Sequence, residues 1–400
     1  MAATWQNWSG GVRCSLERIA TPTSEAALVE IVAGDSGPVR VAGSGHSFTP
    51  VCVTDGTLIS LEAMTGLVET GTQASTATLW AGTRIADTGE PLLAAGFGLE
   101  NMGDIDRQAL AGAVSTGTHG TGPTLGNFGT QVAALRLVLA DGSLLDCSPT
   151  QEPEIFAVAR VAVGALGVLS RITLRVLPAY KLHERTWPEP FESALEQMPT
   201  LIAENRHFEL FWSPAVDACA MKTLNPTDLP IGEIAPPKPA TGRMVRYLGP
   251  EYVDWSHRVL PSERTLLFNE MEFAVPAENG PDCVREIRAL MQTRYPDVIW
   301  PIEYRTVRAD DIALSPAYGR ATVTISIHQA AELAYAAFFA DAEAIFRNHH
   351  GRPHWGKLHS RTARDLHALY PEFDRFRAVR ERLDPQGRFL NDHLRRLFLD

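Results

Sequence analysis

Side chains suited to acid–base chemistry are concentrated in two segments of the C-terminal part of the sequence. The first, IEYRTVRADDIALSPAYGR, carries Glu303 and Arg305 two residues apart on a predicted strand, so both point to one face. The second, GRPHWGKLHS, brings His354, Lys357 and His359 together in a loop bounded by proline and glycine. In such a set, a carboxylate could orient a hydroxyl group, and the neighbouring cations could stabilise a developing negative charge. Alternating charges on a strand equally describe a solvated face, and a single lysine is more often exposed.

A third segment, VRVAGSGHSFTP, leads a β-branched run into Gly43 and Gly45 and then His46. Two glycines after a strand indicate a backbone that something must approach closely. The dinucleotide fingerprint G-x-G-x-x-G fails here, because its last position is Phe48 and another apolar run follows instead of a helix. An ordinary loop between strands is as good an interpretation of these residues alone.

A fourth segment, NMGDIDRQALAGAVSTGTHGTGPTLGNFG, is dense in glycine and threonine around His119. Such a segment offers many unhindered amides and hydroxyls, which suit a pyrophosphate group. A coil between strands is the alternative, but so many small residues cannot build a core, and we therefore favour ligand contact.

The elements around these segments predict an α+β fold. The segment SEAALVEIVAG predicts a capped helix, and Asp141-Gly142 joins two predicted strands in a hairpin. After about Leu182, prolines, acids and aromatics become commoner. There, IWPIEYRTV and RATVTISIHQA predict strands, AENGPDCVREIRALMQTRY and ELAYAAFFADAEAIFRNHHG predict helices, and IGEIAPPKPATGRM predicts a surface loop or linker. Strands and helices do not alternate strictly, which argues against a doubly wound sheet.

The composition limits the possible partners. A chain of 400 residues predicts two domains, and a net charge of −11 argues against nucleic acid or an anionic membrane as the main partner. Five dispersed cysteines, with no C-x-x-C pair, fit reduced thiols in a cytoplasmic protein and indicate no thiolate zinc site. We expect no bound metal. The sequence shows no secretory signal and no apolar run long enough for a membrane span.

Six motifs in matching order give the sequence a family resemblance. They are NWSGGVRC, GSGHSF, GDID with AGAVSTGTHGTG, GALGVLSRITLRV, IEYR and HWGKLH. Together they resemble the aldonolactone and alditol oxidases, sugar oxidases of the vanillyl-alcohol-oxidase flavoprotein superfamily. The resemblance runs from Trp8 to the C-terminus, and six motifs in order are specific although each alone is modest.

The resemblance implies a two-subdomain FAD-binding module over residues 1–180, with about 365–400 packing back onto it. A sheet-based cap domain, residues 181–364, would cover the flavin. His46 matches the histidine that bonds covalently to the flavin 8α-methyl group. The other cofactor contacts that the resemblance implies are Ala42, Gly43, Ser44, Gly45, Ser47, Gly103, Asp104, Ser115, Gly117, Thr118, Gly120, Gly122, Gly167, Val168, His354 and Lys357.

The resemblance also implies the chemistry. Glu303, Arg305 and Lys357 match the family's active-site residues, and His328 is an additional candidate base. They would assist hydride transfer from a CH–OH group to flavin N5, with the flavin carrying the redox chemistry. Gly103 stands where a glycine goes with oxidases and an alanine with dehydrogenases, so we expect O₂ to be reduced to hydrogen peroxide.

The substrate stays open between two sugar classes. The leading expectation is an aldonolactone of the gulono- or arabinono-1,4-lactone type, and the alternative is an alditol such as xylitol or sorbitol. Ala109 stands where the family tends to carry a serine, which removes a hydroxyl that could contact substrate. A flavin-binding electron-transfer or sensor protein is a third possibility, against which the complete Glu303–Arg305–Lys357 set argues. We expect a monomer or small oligomer.

Overall fold

The strands of the computed structural model are short in the N-terminal part and longer after residue 180. The structure describes residues 3–240, 247–262 and 265–399. The strands are β1 Ala3–Gln6, β2 Arg13–Leu16, β3 Arg18–Ala20, β4 Val39–Ala42, β5 Thr57–Ser60, β6 Leu67–Gly71, β7 Thr76–Trp80, β8 Phe97–Gly98, β9 Val132–Val138, β10 Leu144–Cys147, β11 Val168–Arg175, β12 Leu177–Pro178, β13 Lys181–Pro190, β14 His207–Ser213, β15 Ala218–Thr227, β16 Gly232–Ala235, β17 Glu251–Trp255, β18 Phe268–Pro276, β19 Ile302–Val307, β20 Thr322–Ala330 and β21 Arg352–Pro353.

Helices connect these strands and form the C-terminal end of the chain. They are α1 Glu25–Gly34, α2 Gly89–Ala94, α3 Leu110–Thr116, α4 Phe128–Gln131, α5 Pro153–Ala159, α6 Phe191–Glu204, α7 Ser256–Val259, α8 Gly280–Arg294, α9 Ala336–Asn348, α10 Ala363–Leu369, α11 Phe373–Leu383 and α12 Asp392–Phe398. The mixture of segregated helices and largely antiparallel sheets confirms the predicted α+β class.

Local signals in the sequence account for several of these elements. Ser24 caps α1 by accepting a hydrogen bond from the Ala27 amide, as predicted. Strands β9 and β10 pair antiparallel across Asp141-Gly142, where Gly142 has a φ of +84°. The predicted loop IGEIAPPKPATGRM instead begins with β16, which pairs with β17 at the edge of a sheet. The last four residues of that segment, 241–244, lie outside the described residues.

The N-terminal part is built mainly on two sheets, and it also contains the two-stranded sheets β1-β2 and β8-β12. One has the order β10-β9-β11-β7-β6 and is antiparallel, and the other has the parallel order β3-β5-β4. Their hydrophobic core includes side chains from the last three helices, such as Phe376 of α11 and Leu394 of α12. The C-terminal end of the chain therefore packs into the same core as the first 180 residues.

The middle of the chain forms a sheet of nine described strands in the order β16-β17-β13-β15-β14-β19-β20-β18-β21. Alternate residues of its central strands, such as Leu210, Tyr304 and Ile325, enter a second core together with residues of α6, α8 and α9. The residues between them point to the opposite face, because successive side chains of a strand alternate. That opposite face is where the chemistry-bearing side chains lie.

None of the described helices is long and apolar enough to cross a membrane.

Candidate active site

Two adjoining cavities lie in the molecule, one between the N-terminal part and the nine-stranded sheet and one within the N-terminal part. The first, of about 390 Å³, is lined by the polar face of that sheet and by residues around Gly103 and His119. The second, of about 280 Å³, lies within the N-terminal part and is lined by the loop that carries His46. Gln108 lines both, so the cavities share a wall.

Strand β19 places Glu303 and Arg305 in the first cavity by simple alternation. Ile302 and Tyr304 enter the core with α6, α8 and α9, whereas Glu303 and Arg305 lie on the other face. Both are almost fully buried, at 5% and 7% exposure, which excludes the solvated face that their sequence pattern also allowed.

Arg305 is held by two carboxylates. Its guanidinium lies 3.0 Å from Glu272 Oε2 on β18 and 3.4 Å from Glu303 Oε1 on its own strand. Burial disfavours the cation, but Glu303 and Glu272 outweigh burial and raise the pKa of Arg305. A permanent, oriented positive charge in a buried cavity is suited to stabilising a developing alkoxide.

Lys357 enters the same cavity from the loop after β21. It forms an ion pair with Glu270 of β18, and His328 Nε2 of β20 lies 3.7 Å from the same carboxylate. Burial opposes ionisation of Glu270, but Lys357 and His328 more than offset it and lower the pKa of Glu270. The predicted lysine and the additional candidate base therefore meet at one carboxylate.

Glu270, Glu272 and His119 also line the first cavity, although their positions in the sequence did not predict them as site residues. Glu270 and Glu272 alternate with Met271 and Phe273 in the strand FNEMEFAVP, so they face the cavity. The same two-residue alternation places Glu303 and Arg305 on the cavity face of β19. Applied to β18, it would have predicted Glu270 and Glu272 as well. His119 lies at the centre of a glycine-rich segment, which predicts a ligand contact but does not single out its side chain.

The second cavity is shaped by the glycine loop after β4. A Cβ atom added to Gly43 would lie 2.7 Å from Ala109 Cβ, and Gly45 has a φ of +73°, a conformation that favours glycine. His46 packs on Trp8 with ring centroids 5.3 Å apart. Burial, and then the Lys357 charge, lower the pKa of His46 to about 4, so its imidazole is neutral at pH 7.

The predicted residues divide between the cavities. The first cavity is lined by Gly103, Asp104, Thr118, Glu303, Arg305, His328, His354 and Lys357. The second is lined by Ala42, Gly43, Ser44, Gly45, His46, Ser47, Ser115 and Gly167. Ala109 also lines the second cavity and not the first, so the serine missing there does not alter the wall of the first cavity.

Four predicted contacts lie elsewhere. Gly120, Gly122 and Val168 line neither large cavity, and Gly117 borders only a small cavity behind the first. A Cβ atom on Gly120 would lie 2.3 Å from the Met102 carbonyl oxygen, and one on Gly122 would lie 2.6 Å from that of Arg206. These two glycines are thus explained by close backbone packing within the protein.

The second cavity fits a dinucleotide of the FAD type. Its glycines and serines present small side chains and accessible backbone, and Gly164, also in its wall, has a φ of +67°. In the first cavity, Thr118 Oγ1 is buried without a hydrogen-bond partner. This hydroxyl could donate a hydrogen bond to a polar group of a cofactor bound there.

Comparisons with known proteins agree with this geometry. A model described as an FAD-binding domain matches residues 16–148, and a model described as D-arabinono-1,4-lactone oxidase matches 172–249 and 234–397. The chain is 35% identical to an L-gulono-1,4-lactone dehydrogenase of Mycobacterium tuberculosis over 99% of each chain. It is 30% identical to an L-gulonolactone oxidase of Bos taurus over 98% of each, and 29% identical to an alditol oxidase of a Streptomyces species over 99% of each.

Among solved structures, a cholesterol oxidase from B. sterolicum superposes with a TM-score of 0.86 at 17% identity, over 100% of this chain and 97% of that one. That likeness shows the fold. An FAD-binding domain, the vanillyl-alcohol-oxidase type of fold and a buried acid–base site beside the glycine loop define a flavin-dependent oxidoreductase. More narrowly, the chain belongs to the D-arabinono-1,4-lactone oxidase family.

Proposed function

We propose that this protein oxidises a CH–OH group of an aldonolactone of the gulono- or arabinono-1,4-lactone type. The observation that carries the proposal is the convergence of Glu303, Arg305, His328 and Lys357 in one buried cavity that adjoins the cavity of the glycine loop. Relatives named as lactone oxidoreductases, similar over nearly the whole chain, support the substrate class.

The cavity residues would have separate tasks. Glu303 can accept a hydrogen bond from a substrate hydroxyl and orient it, while Arg305 stabilises the negative charge that appears as the hydroxyl proton leaves. Lys357, fixed by Glu270, adds a second positive charge, and His328 beside it can act as a base. When bound, FAD supplies the two-electron acceptor that receives the carbon-bound hydrogen as hydride.

We propose that His46 bonds covalently to the flavin 8α-methyl group. A neutral imidazole nitrogen is nucleophilic, and burial keeps that of His46 neutral. His46 would supply the attacking nitrogen and give up its ring proton, and FAD, when bound, would supply the methyl carbon, which loses a proton, and would accept the two electrons that remain. Ser44, Gly45, Ser47, Ser115 and Gly167 would contact the remainder of the cofactor.

We propose O₂ as the acceptor, with hydrogen peroxide as product. Gly103 lines the first cavity, and a Cβ atom there would lie 3.0 Å from the His119 carbonyl oxygen and 3.3 Å from Thr118 Cγ2. A side chain at position 103 would press on these two atoms, so glycine avoids a steric conflict in this part of the cavity wall.

We also propose that the protein is cytoplasmic, since its five cysteines are all free thiols.

Aerobic peroxide release from gulono- and galactono-1,4-lactones, xylitol and sorbitol tests the proposal. Peroxide from lactones alone supports it, and peroxide from alditols alone shifts the substrate to the class named in the Streptomyces relative. Flavin bleaching without air, but no peroxide with air, makes the protein a dehydrogenase. Absence of bleaching by all four compounds contradicts both sugar classes.

A further inference from the structure

The loop between β1 and β2 lies against the loop that carries His46. This hairpin loop, residues 7–12, is the first part of the motif NWSGGVRC, and its flanking strands pair antiparallel. A Cβ atom added to Gly45 would lie 3.3 Å from the Trp8 amide nitrogen and 3.4 Å from Asn7 Cα. The backbones of the hairpin loop and of the glycine loop are therefore in direct contact.

The hairpin loop fixes the backbone on both sides of His46. The Trp8 amide donates to the carbonyl oxygen of Gly45 at 2.8 Å. Asn7 Nδ2 donates to the carbonyl oxygen of Ser47 at 3.0 Å, and Asn7 is only 3% exposed, so this buried hydrogen bond is costly to lose. Two consecutive residues of the hairpin loop thus hold the residues directly before and after the histidine.

The indole of Trp8 fixes the ring of His46 itself. The two ring centroids are 5.3 Å apart and the ring planes are inclined by 31°, so the imidazole lies against a flat aromatic surface. The indole is held in turn by Phe268 of β18, with centroids 5.2 Å apart in an edge-to-face contact of 72°. Phe268 is 3% exposed and lines the first cavity. The nine-stranded sheet therefore supports the orientation of His46 through Trp8.

The orientation of His46 matters because the proposed bond joins two particular atoms. A histidine side chain can turn about χ1 and χ2, and only some of its rotamers present a ring nitrogen to a carbon atom in a fixed place. His46 would form the bond from its unprotonated ring nitrogen and give up the proton of its other ring nitrogen. The 8α carbon of bound FAD would lose one proton, and FAD would accept the two electrons that remain. Holding the imidazole in the reactive orientation beforehand lowers the barrier of such a step.

We propose that Trp8 is a positioning residue for the covalent attachment of FAD, and that its indole holds the His46 ring in the orientation that the bond requires. The inference rests on the proposed bond to His46. Trp8 lines neither large cavity, so its replacement leaves the residues that line the cofactor and substrate cavities in place. The role requires a flat ring at position 8, and an apolar side chain of another shape does not fulfil it.

The rate of bond formation after FAD is added to the apoprotein tests this role. Apoprotein is produced in riboflavin-starved cells and mixed with saturating FAD, and samples are taken over time. Gel filtration of each sample gives the total bound flavin, and acid precipitation followed by absorbance measurement gives the covalent part. The two measurements separate a loss of FAD binding from a slower reaction of bound FAD.

Trp8→Leu and Trp8→Phe differ in the property that the proposal requires. Trp8→Leu keeps an apolar side chain without a flat face. It should bind FAD to within about twofold of the unmodified protein but form the bond at least about tenfold more slowly. Trp8→Phe keeps a flat ring and should restore the rate to within about threefold of the unmodified protein.

Trp80→Leu is the matched control. Trp80 of β7 is half-buried like Trp8 and belongs to the same N-terminal part, but it packs against Arg171 and lines neither large cavity. An unchanged rate in Trp8→Leu, an equal loss in Trp80→Leu or no recovery in Trp8→Phe overturns the positioning role. Loss of FAD binding in both Trp8 variants makes this residue structural and also overturns it.

Failure of the proposed function has a different signature. If the flavin of the unmodified protein stays fully extractable by acid, the bond to His46 is absent and the positioning role of Trp8 is overturned with it. Oxidation of a lactone by that same protein would still stand, because hydride transfer does not require the bond. If the bond forms but no sugar bleaches the flavin, the proposed substrate class fails and the comparison of the Trp8 variants still decides their role.

Discussion

The chemistry of single residues is most specific at His46. Its ring packs on Trp8 in the wall of the second cavity, and burial keeps it neutral. Replacing it by alanine removes the nucleophile but none of the glycine-loop backbone. We expect His46→Ala to retain FAD without a covalent bond and to lose at least about tenfold in kcat. Acid precipitation followed by absorbance measurement should give a yellow pellet for the unmodified protein and a colourless one for the variant.

The matched control is His367→Ala, whose side chain is 56% exposed on α10 and should leave the pellet yellow. A colourless pellet from the unmodified protein would show that its flavin is not covalently held, whatever the activity. A yellow pellet from His46→Ala would assign the bond to another residue.

Gly103 gives a second prediction at this scale. A methyl group added at this position would lie so close to the His119 carbonyl oxygen and to Thr118 that these groups would have to move slightly. We expect Gly103→Ala to slow flavin reoxidation by air at least about tenfold while reduction by substrate stays within about twofold. Stopped-flow absorbance measures the two half-reactions separately, and unchanged reoxidation would remove Gly103 from the explanation of oxygen use.

At the scale of elements, one face of the central strands lines the active-site cavity and the other packs in the hydrophobic core, so the two faces should affect activity and stability separately. Arg305 of β19 lies in the polar cavity, whereas Ile325 of the neighbouring β20 is fully buried in the core with α6, α8 and α9. We expect Arg305→Lys to lower kcat about 100-fold, because lysine cannot reproduce the forked contacts with two carboxylates. We expect Ile325→Val to cost about 0.5–1.5 kcal/mol in the free energy of unfolding with kcat unchanged.

Denaturant unfolding and steady-state kinetics on both variants check this separation. The opposite pattern, a loss of activity in Ile325→Val without a loss of stability, would show that the two faces are coupled. If Arg305→Lys remains fully active, position 305 contributes to catalysis only through its positive charge, and the geometry of the guanidinium does not matter.

The same periodicity explains what the sequence could predict. Alternation along IEYRTV correctly placed Glu303 and Arg305 on one face. Helix α1 was evident from its cap, and α8 and α9 were evident from their apolar spacing. Which face would be covered by helices and which would form a cavity depends on contacts between distant segments, such as that of Glu272 with His119. Glycines 120 and 122 look like ligand contacts in the sequence because close backbone packing and ligand approach select glycine for the same steric reason.

At the scale of the whole molecule, Arg40 ties distant parts of the chain together. It is 3% exposed and donates to the carbonyl oxygens of Val51, Val163, Gly164 and, in the C-terminal part, Phe389. Arg40 and Gly164 also line the second cavity. Folding of the C-terminal segment and formation of the cofactor cavity are therefore linked through one buried guanidinium.

The buried histidines predict how the stability of the whole molecule depends on pH. Burial lowers the pKa of His207, His354 and His359 to about 3 and that of His393 to about 4. A histidine whose folded pKa is below its unfolded value of about 6.5 stabilises fully above pH 6.5, and that contribution is lost as the pH falls toward the folded value. Each contributes a slope of up to ~1.4 kcal/mol per pH unit, and two carboxyl groups whose pKa values burial raises, Asp310 and Glu209, oppose them.

We therefore expect the free energy of unfolding to decrease from about pH 6.5 to 5, a range above the titration of ordinary carboxyl groups in the unfolded chain. Urea unfolding at constant ionic strength measures this slope. His359→Gln should reduce it by up to ~1.4 kcal/mol per pH unit, because one proton fewer is taken up on unfolding, while the exposed His367→Gln should leave it unchanged. A stability that is flat between pH 6.5 and 5 would mean that these histidines become protonated in the folded protein, and so are accessible to water.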